Sequence, residues 1–459
     1  MRFYHKFILL MAACGLSAPL IGQIRVPDQV VEETDEDGDD NDRAVREGIV
    51  VIPDEADDID IPIPRFIKTA ANHIILNGAD WGKLRKAFEQ SNQSPVSIVH
   101  IGDSHIQADF STATVRELLQ YDFGNAGRGL IAPFKICGTN QPTDYLFQSN
   151  NSWKTVKLMN NSWIQTVGFT GTSIRPASPT SEISVGTCGE EDYNPFTSVT
   201  LFHNGRLTVK DVTDKEGNAI HFRAIPSRDY TQIILSELHT VVNVKFTSAG
   251  DLTLYGASLS GDRPGVFYHA IGNNGATYDS YNRIGTVGLG ITPLQPNLVI
   301  VSLGTNEAFG RQDILGFKNS IHTLVGNIRR ANPDALVLLT TPMECHRSVV
   351  TTSKKRVKRK GKKGYRTVTT HNKTYAVNPN IAPLRKAILD YGKSNGIAVY
   401  DWYEVAGGAG ASTSWISSDL FAKDRVHHSR QGYSLNGRLL YDALMDAVRN
   451  PELAAEAAE

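Results

Sequence analysis

Cysteine is scarce in this sequence. Four occur in 459 residues, namely Cys14, Cys137, Cys188 and Cys345, and no pair of them has C-x-x-C spacing. That count excludes a zinc-ribbon site and a dense disulfide framework. A single bridge between Cys137 and Cys188 stays open, beside the alternative of isolated, partly buried thiols.

An excess of charge of one sign is also lacking, because the formal net charge is only -1. The whole chain therefore has no global attraction to nucleic acid or to an anionic membrane. Apolar runs long enough to span a bilayer are absent too, since the N-terminal "FILLMAACGLSAPLIG" is too short. With 41% hydrophobic residues, the chain can bury one or two large cores.

The N-terminus has the pattern of a secretory signal peptide over residues 1–22. A basic start, "MRFYHK", precedes the apolar run, and small residues end it before Gln23. The letters "LMAAC" also resemble a lipobox, which would leave Cys14 as a lipidated N-terminus. In both cases we expect a periplasmic or secreted protein, attached to a membrane only if Cys14 is lipidated.

Two segments of the sequence are strongly charged. Residues 23–65 include "EETDEDGDDND", an acidic run with almost no aromatic residues, which predicts a disordered linker. The basic run "KKRVKRKGKKGYR", Lys354 to Arg366, predicts a solvated loop before the last helix of the alternating pattern. The alternative for this run is a contact with an anionic polymer or with the acidic linker.

Strands and helices alternate through most of the chain and predict a doubly wound parallel sheet with helices on both faces. The predicted elements are a strand at 96–101, a helix from about Ser111, a strand at 298–303, a helix at 314–328, a strand at 336–340, a helix ending at Tyr391 and a strand at 397–401. The active site should lie at the carboxyl ends of these strands.

Between about residues 139 and 262 the rhythm changes to short alternating segments typical of an all-β sandwich. Because the parallel pattern resumes at "GVFYHAIG", this unit is predicted to be inserted in the first crossover. The predicted domain bounds are 66–139 for the first part of the α/β domain, 140–262 for the insertion and 263–459 for the second part.

Ser104, in "VSIVHIGDSHIQAD", is predicted at a strand-to-helix turn. A serine becomes nucleophilic when a histidine, held by a carboxylate, takes its proton. The segment "KDRVHHSRQGYS" offers Asp424 three residues before His427, and His428 competes for the role of base. For Ser104 the alternative role is a helix cap.

Donors for an oxyanion are expected near two other strand ends. Gly275 in "IGNNGAT" is one candidate, with Gly272 as its rival, and Asn306 in "SLGTNEAF" is another, unless it only caps the next helix. We expect Asp103 to be structural, because its side chain can bind local backbone amides and fix the turn.

The segments "IGDSH", "GNNG", "GTNE" and "DRVH" occur in the order of the four sequence blocks of the SGNH, or GDSL, hydrolase superfamily, and the chain resembles that superfamily. The resemblance implies a flavodoxin-like sheet with Ser104 as nucleophile, His427 as base and Asp424 as its orienter. It also implies an oxyanion hole made by the Ser104 N–H, the Gly275 N–H and Asn306. No G-x-S-x-G elbow surrounds the serine, which argues against an ordinary α/β-hydrolase.

The resemblance covers about residues 66–139 and 265–446. One departure is His105, which stands where the superfamily usually has leucine and which either lines the pocket or packs. A "GDSH" block, a signal peptide and an inserted sandwich together resemble the envelope O-acetylesterases that act on peptidoglycan. The inserted unit is similar to a carbohydrate-binding module, in which Trp153 and Trp163 either hold polymer or form the core.

These resemblances imply a serine esterase that removes short acyl groups, most of all acetyl, from a cell-wall or extracellular glycan through an acyl-enzyme, without metal or organic cofactor. An acetyltransferase would use the same residues and pass the acyl group to a sugar hydroxyl. A glycan-binding scaffold with an inactive hydrolase fold is the other alternative, and the intact set of Ser104, Asp424 and His427 argues against it.

Overall fold

A computed structural model describes residues 63–189, 194–358 and 365–449. The predictions for the signal peptide, for Cys14 and for nearly all of the acidic linker lie outside these residues. Over the described ranges, no helix combines the length and apolar character needed to cross a membrane.

The described residues form the following elements. The α-helices are α1 Gly82–Glu89, α2 Ser104–Gln107, α3 Phe110–Phe123, α4 Tyr278–Asn282, α5 Val287–Ile291, α6 Ile314–Ala331, α7 Ile381–Asn395, α8 Trp402–Val405, α9 Ala411–Ser417 and α10 Arg430–Arg449. Short 3₁₀ turns span Thr69–Ala71, Thr292–Leu294 and Asn306–Phe309. The strands are β1 Ile74–Ile75, β2 Val96–Gly102, β3 Gly129–Ile131, β4 Tyr145–Gln148, β5 Trp153–Lys157, β6 Thr172–Pro176, β7 Thr180–Thr187, β8 Phe196–Thr213, β9 Phe222–Pro226, β10 Tyr230–His239, β11 Val241–Ser260, β12 Val266–Gly272, β13 Leu298–Ser302, β14 Leu336–Thr340, β15 His346–Lys358, β16 Tyr365–Val377 and β17 Ala398–Tyr400.

The central sheet has the strand order β1-β17-β14-β13-β2-β12. All neighbours in it are parallel except the pair of β1 and β17 at one edge. Numbered along the chain, its five parallel strands follow the spatial order 2-1-3-4-5, which is the flavodoxin-like arrangement. The doubly wound fold is confirmed, and the antiparallel edge strand β1 is an addition that the sequence pattern did not predict.

Helices cover both faces of this sheet, as strand β2 illustrates. All seven of its residues are buried, and successive side chains point to opposite faces. Val99 and Ile101 join a core that includes residues of α6 and α7. Val96 and Ile98 join the other core, which includes residues of α3 and α10. The continuous apolar run of β2 therefore reflects burial on both sides.

The inserted all-β unit lies between α3 and β12 and contains β3 to β11 in one hydrogen-bonded sheet. Its longest strand, β11, pairs with β3, β6, β7 and β8. Alternating apolar residues of these strands, such as Ile183, Val185 and Val244, form a separate core. The all-β insertion is confirmed. Because β3 precedes residue 140, this sheet begins ahead of the predicted boundary, and the domain bounds themselves stay predictions.

Two side chains considered for polymer binding pack against cores instead of standing out from the surface. Trp153 lies against Phe246 of the all-β core, with ring centroids 6.4 Å apart. Trp163 packs against the core of the α/β domain, and the Arg283 guanidinium lies 4.5 Å from the centre of its ring. Both indoles are half-buried, so the structure supports the alternative in which they contribute to packing.

The predicted options for the cysteines are also resolved. No disulfide joins Cys137 to Cys188, and Cys345 forms none either, so the bridge alternative is wrong. Burial raises the pKa of the Cys137 thiol to about 12, which is typical of an inert, packed thiol.

The prediction of a loop over Lys354 to Arg366 is wrong for residues 354–358 and 365–366, which lie in strands, while residues 359–364 lie outside the described residues. Strands β15 and β16 form an antiparallel hairpin, and the run begins inside β15 and ends inside β16, where Lys358 pairs with Tyr365. The physical reason lies in the flanking segments "SVVTTS" and "TVTT", whose β-branched residues favour strands strongly enough to extend the ladder into the basic run.

Candidate active site

The candidate site lies where the direction of the chain crossovers changes. Strands β2 and β13 are neighbours in the sheet, although β12 follows β2 along the chain on the opposite side. Such a switch point opens a crevice at the carboxyl ends of the strands. Ser104 follows β2 there, Gly275 follows β12 and Asn306 follows β13.

The turn that presents Ser104 is tight. Asp103 caps the four-residue helix α2, and its Oδ1 accepts the backbone N–H of His105 at 3.0 Å. A Cβ atom on Gly102 would lie 2.3 Å from the Ile106 side chain and 2.8 Å from the Ser302 carbonyl oxygen, so only glycine fits before this turn. The structural role expected of Asp103 is the one it has in the turn.

Ser104, His427 and Asp424 form one continuous hydrogen-bonded chain. The Ser104 Oγ lies 2.7 Å from the His427 Nε2, and the His427 Nδ1 lies 2.6 Å from the Asp424 Oδ2. An ionised carboxylate only accepts hydrogen bonds, so the proton of a neutral imidazole sits on Nδ1 and Nε2 accepts the serine proton. The structure thus brings the three residues that the sequence singled out into one hydrogen-bonded chain.

The loop that carries the base holds its own carboxylate in place. The Asp424 Oδ1 accepts the backbone N–H groups of Val426 at 2.9 Å and of His427 at 3.0 Å. Burial by itself would raise the pKa of Asp424, but the adjacent His427 and these hydrogen bonds outweigh it and lower the pKa below its usual value. Asp424 is therefore a carboxylate at neutral pH.

His428 lies behind the triad in an aromatic cluster. Its ring centroid is 4.9 Å from that of Trp415 and 5.0 Å from that of Tyr433. Burial lowers the pKa of His428 to about 3, with His427 contributing in the same direction. Between the two candidate bases, only His427 reaches Ser104.

His105 packs against the imidazole of His427, with ring centroids 5.0 Å apart, and its Nδ1 lies 3.1 Å from the Tyr433 hydroxyl. Burial lowers the pKa of His105 well below its usual value, with the charges of His427 and His428 adding to the effect. The residue that replaces the superfamily's leucine is thus a neutral ring that supports the base.

The two glycines after β12 differ in what they do. Gly272 ends the strand, and a Cβ atom there would lie 1.9 Å from the Gln107 backbone nitrogen, so close packing against α2 requires it. Gly275 lies in the loop beyond the strand with φ of 77°, a left-handed conformation that favours glycine. These geometries separate the packing glycine from the loop glycine that we predict as an oxyanion donor.

Asn306 lies close to the serine turn, but both hydrogens of its amide have acceptors within the protein. Its Nδ2 donates to the Asp103 Oδ2 at 3.1 Å and to the Ala276 carbonyl oxygen at 3.0 Å. Burial raises the pKa of Asp103 to about 6, although the His105 N–H and His427 act against it. A substrate oxygen must therefore share or replace one of these acceptors.

Sequence reasoning missed a polar network that ties the site to the insertion. The Gln107 Oε1 accepts the Asn274 N–H at 2.8 Å, and the Gln107 Nε2 donates to the Asn140 carbonyl oxygen at 2.8 Å. The Asn274 side chain also donates to the Asn140 Oδ1 at 2.6 Å. These contacts hold the residue next to Gly275. Their partners are far apart in sequence, and no local pattern signals them.

It also missed a cluster of four buried charges beneath the serine turn. Asp109, between α2 and α3, accepts from Arg116 and from Arg128, each at 2.6 Å. Asp144 accepts from the same two guanidinium groups at 3.2 and 3.0 Å. Burial opposes ionisation of Asp144, but the two arginines hold its pKa below its usual value. The cluster joins the serine turn to the start of the all-β unit.

A cavity of about 70 Å³ lies behind the aromatic cluster. His100, Thr340, Trp402 and His428 are among its lining residues, whereas Ser104 and His427 do not line it. Asp103 and His105, on either side of Ser104, and Val426, next to His427, also line it, so it lies directly against the serine turn and the loop of His427. Among the described residues, no three His, Cys, Asp or Glu side chains converge as a metal site would need.

Comparison with known proteins gives one matching family and several solved structures of similar fold. Residues 246–435 match the sequence model of the GDSL-like lipase/acylhydrolase family. That range contains Gly275, Asn306, Asp424 and His427 and begins after Ser104, because the insertion separates the serine turn from the rest. No curated protein matches the chain.

Among solved structures, a peptidoglycan O-acetylesterase is similar over 84% of this chain and 98% of its own, with a TM-score of 0.62 and 20% identity. A family two carbohydrate esterase from Cellvibrio japonicus covers 67% of this chain and 99% of its own, at a TM-score of 0.28 and 11% identity. At 20% identity, the first likeness shows a shared fold alone. The second match has too low a TM-score to show a shared fold.

The fold and the family match define the class, which is carboxylic ester hydrolase. Residues 246–435 resemble the GDSL-like lipase/acylhydrolase family, and the described residues have the fold of the SGNH, or GDSL, hydrolases. The predicted superfamily and enzyme class are thereby confirmed, while the roles of individual residues stay predictions.

Proposed function

We propose that the protein removes O-acetyl groups from a cell-wall or extracellular glycan, of which peptidoglycan is the first candidate. The observation that carries the proposal is the hydrogen-bonded chain from Ser104 through His427 to Asp424 at the switch point of the sheet. The fold shared with a peptidoglycan O-acetylesterase supports the choice of glycan. A periplasmic or extracellular location, expected from the N-terminus, is part of the proposal.

In the proposed reaction, the Ser104 Oγ attacks the ester carbonyl carbon while His427 Nε2 takes its proton. The negative oxygen of the tetrahedral intermediate accepts hydrogen bonds from the N–H groups of Ser104 and Gly275 and from the Asn306 amide. His427 then protonates the leaving sugar hydroxyl. Asp424 keeps the ring in the required tautomer and stabilises the imidazolium.

The second half of the reaction releases the acyl group. Water attacks the acetyl-serine, His427 accepts a water proton, and the collapse of the second tetrahedral intermediate returns that proton to the Ser104 Oγ as acetate leaves. A sugar hydroxyl in place of water would make the enzyme an acetyltransferase with the same residues. The family match to acylhydrolases favours water as the acceptor.

The test measures acetate released from 4-nitrophenyl acetate and from O-acetylated peptidoglycan by the full chain. We expect Ser104→Ala and His427→Gln to lose about 10⁴-fold or more in kcat, because the residues of a triad act as a unit. The matched control is Ser111→Ala. Ser111 is a buried serine on α3, and its hydroxyl donates to Asn436 and not to a histidine. His428→Gln should keep activity within about tenfold of the parent.

Three results would contradict the proposal: near-parental activity of Ser104→Ala, a larger loss in His428→Gln than in His427→Gln, or no acetate from any acetyl ester. Adding a chito-oligosaccharide distinguishes an esterase from a transferase. A transferase would form acetylated oligosaccharide and release less free acetate.

A further inference from the structure

The hairpin of β15 and β16 carries charge of one sign. From His346 to Val377 the sequence contains no Asp or Glu, and it contains eleven basic residues: Arg347, Lys354, Lys355, Arg356, Lys358, Arg359, Lys360, Lys362, Lys363, Arg366 and Lys373. The hairpin therefore offers its own cations no carboxylate partner. In a chain of net charge -1, this is a strong local concentration of positive charge.

The hairpin also lacks a core. Every residue of β15 from Val349 to Lys358 is exposed, and β16 is exposed except for the half-buried Val368 and Tyr375. An isolated two-stranded ribbon is at best marginally stable in water. Burial of apolar surface thus gives no reason for this ribbon to project from the domain, and its exposed charges point to a partner.

The end of the hairpin that joins the domain contacts the loop of His427, the predicted general base. The His346 N–H donates to the Arg425 carbonyl oxygen at 3.0 Å. The Arg425 guanidinium lies 4.5 Å from the centre of the Tyr375 ring. Because Arg425 stands between Asp424 and His427 in sequence, the ribbon starts directly beside the proposed catalytic residues.

One face of the ribbon carries a row of cations. Tyr375 pairs with Ser348, and side chains two residues apart on a strand share a face, so Lys354, Arg356 and Lys358 belong to the face of Tyr375. Neighbours in this row are about 7 Å apart along the strand. Lys354 lies six residues beyond Ser348, about 20 Å along the ribbon. Only an extended polymer can reach both this row and the serine.

We propose that the β15–β16 hairpin is a second binding surface, whose cationic row holds carboxylate groups of a glycan strand while an ester of that strand occupies the site at Ser104. This inference rests on the proposed function, because the strand it holds is the esterified polymer. Lysine ammonium groups are flexible, hydrated point charges, which suits carboxylates spaced along a polymer. A lipid surface fits less well, since a membrane plane cannot enter the crevice where the ribbon begins.

The test uses the full chain with Ser104→Ala, so that binding is measured without reaction. The variant adds Lys354→Gln, Arg356→Gln and Lys358→Gln from the row and Lys355→Gln from the opposite face of the ribbon. The matched control removes the same four charges from exposed positions on the all-β unit, through the substitutions Arg206→Gln, Lys210→Gln, Lys215→Gln and Lys245→Gln. Both proteins are sedimented with O-acetylated peptidoglycan sacculi and with the same sacculi after amidation of their carboxylates.

We expect the hairpin variant to bind untreated sacculi about tenfold or more weakly than the control at 50 mM salt, because each exposed ion pair contributes a factor of about two or more. The difference should shrink at 0.5 M salt, where the Debye length falls to about 4 Å. Amidation should weaken binding of the control and remove most of the difference.

Each opposite result overturns the proposal. These are equal binding by variant and control, an equal difference on amidated sacculi, or stronger binding to anionic phospholipid vesicles than to sacculi. Tighter binding by the variant would show that the hairpin holds the acidic segment of its own chain, and this too overturns it. Since the readout uses no reaction, an absence of esterase activity would count against the proposed function and is distinguishable from these outcomes.

Discussion

Replacing Asn306 by alanine tests how the oxyanion of the tetrahedral intermediate is stabilised. If Asn306 donates to that oxygen, its loss should appear in turnover, because the oxygen carries its full charge only along the reaction path. The Ser104 and Gly275 N–H groups would remain, so activity should fall without disappearing.

The structure sets the size of the effect. Loss of one oxyanion donor costs about 2.7–4 kcal/mol. In the free enzyme, however, the Asn306 amide already donates to Ala276 and to Asp103. Exchanging one of these acceptors for the substrate costs about 1 kcal/mol, the net value of an ordinary hydrogen bond. The net effect of about 1.7–3 kcal/mol corresponds to a fall in kcat of about 20- to 150-fold.

Steady-state kinetics on 4-nitrophenyl acetate measures kcat and KM separately. The control is Asn380→Ala. The Asn380 Nδ2 donates at 2.8 Å to the carbonyl oxygen of Ala308, which lies on the same 3₁₀ turn as Asn306, so this substitution removes a similar hydrogen bond. Control and test should lose comparable stability, but only Asn306→Ala should lose turnover. An effect confined to KM, or an equal loss of kcat in the control, would refute the oxyanion role.

Two further predictions concern buried charge. Asp109→Asn should destabilise the fold by about 3–5 kcal/mol in urea unfolding, because Arg116 and Arg128 lose a buried charged partner. Asparagine is chosen because it tolerates the left-handed backbone at this position, where φ is 57°. A loss of less than about 1 kcal/mol would contradict this prediction. Burial raises the pKa of Glu307 to about 7, against the hydrogen bonds it accepts, so the native state binds the extra proton and its stability falls as pH rises from about 4.5 to 7. Glu307→Gln should therefore be more stable than the parent at pH 8, by about 3 kcal/mol, and nearly equal to it at pH 4.5; a gain that does not change with pH would contradict the assignment.

The parts of the molecule that could be predicted from sequence are those encoded by short-range patterns. The apolar run of β2 predicts a buried strand, and the glycine at its end, Gly102, predicts a turn that places Ser104 directly after the strand. Asp424 and His427 lie three residues apart on one loop, so the contact between them is local. The all-β insertion is visible because its strand period differs from the rhythm on either side.

What could not be predicted depends on pairs that are distant in sequence. Arg128, directly before β3, binds both Asp109 and Asp144, which lie 19 and 16 residues away from it in sequence. The hairpin went unrecognised because charge suggested a loop, while the competing preference of the flanking threonines and valines for strands decided the outcome. The Asn306 amide was expected to face substrate, and its bond to Asp103 depends on how two strand ends meet.

The loop of Asp424 and His427 contacts the start of the hairpin, and this contact relates the proposed polymer binding to the proposed chemistry. Asp424 holds its own loop from inside through two backbone N–H groups, while the His346 N–H and the Tyr375 ring hold Arg425 from outside. The inner bonds tie the loop backbone to the same carboxylate that accepts the His427 Nδ1 proton. The outer contacts act on the backbone and the guanidinium of Arg425 and not on the imidazole. They fix where the ribbon starts relative to Ser104, so charges far out on the ribbon can select a polymer without altering the proton transfers at the serine.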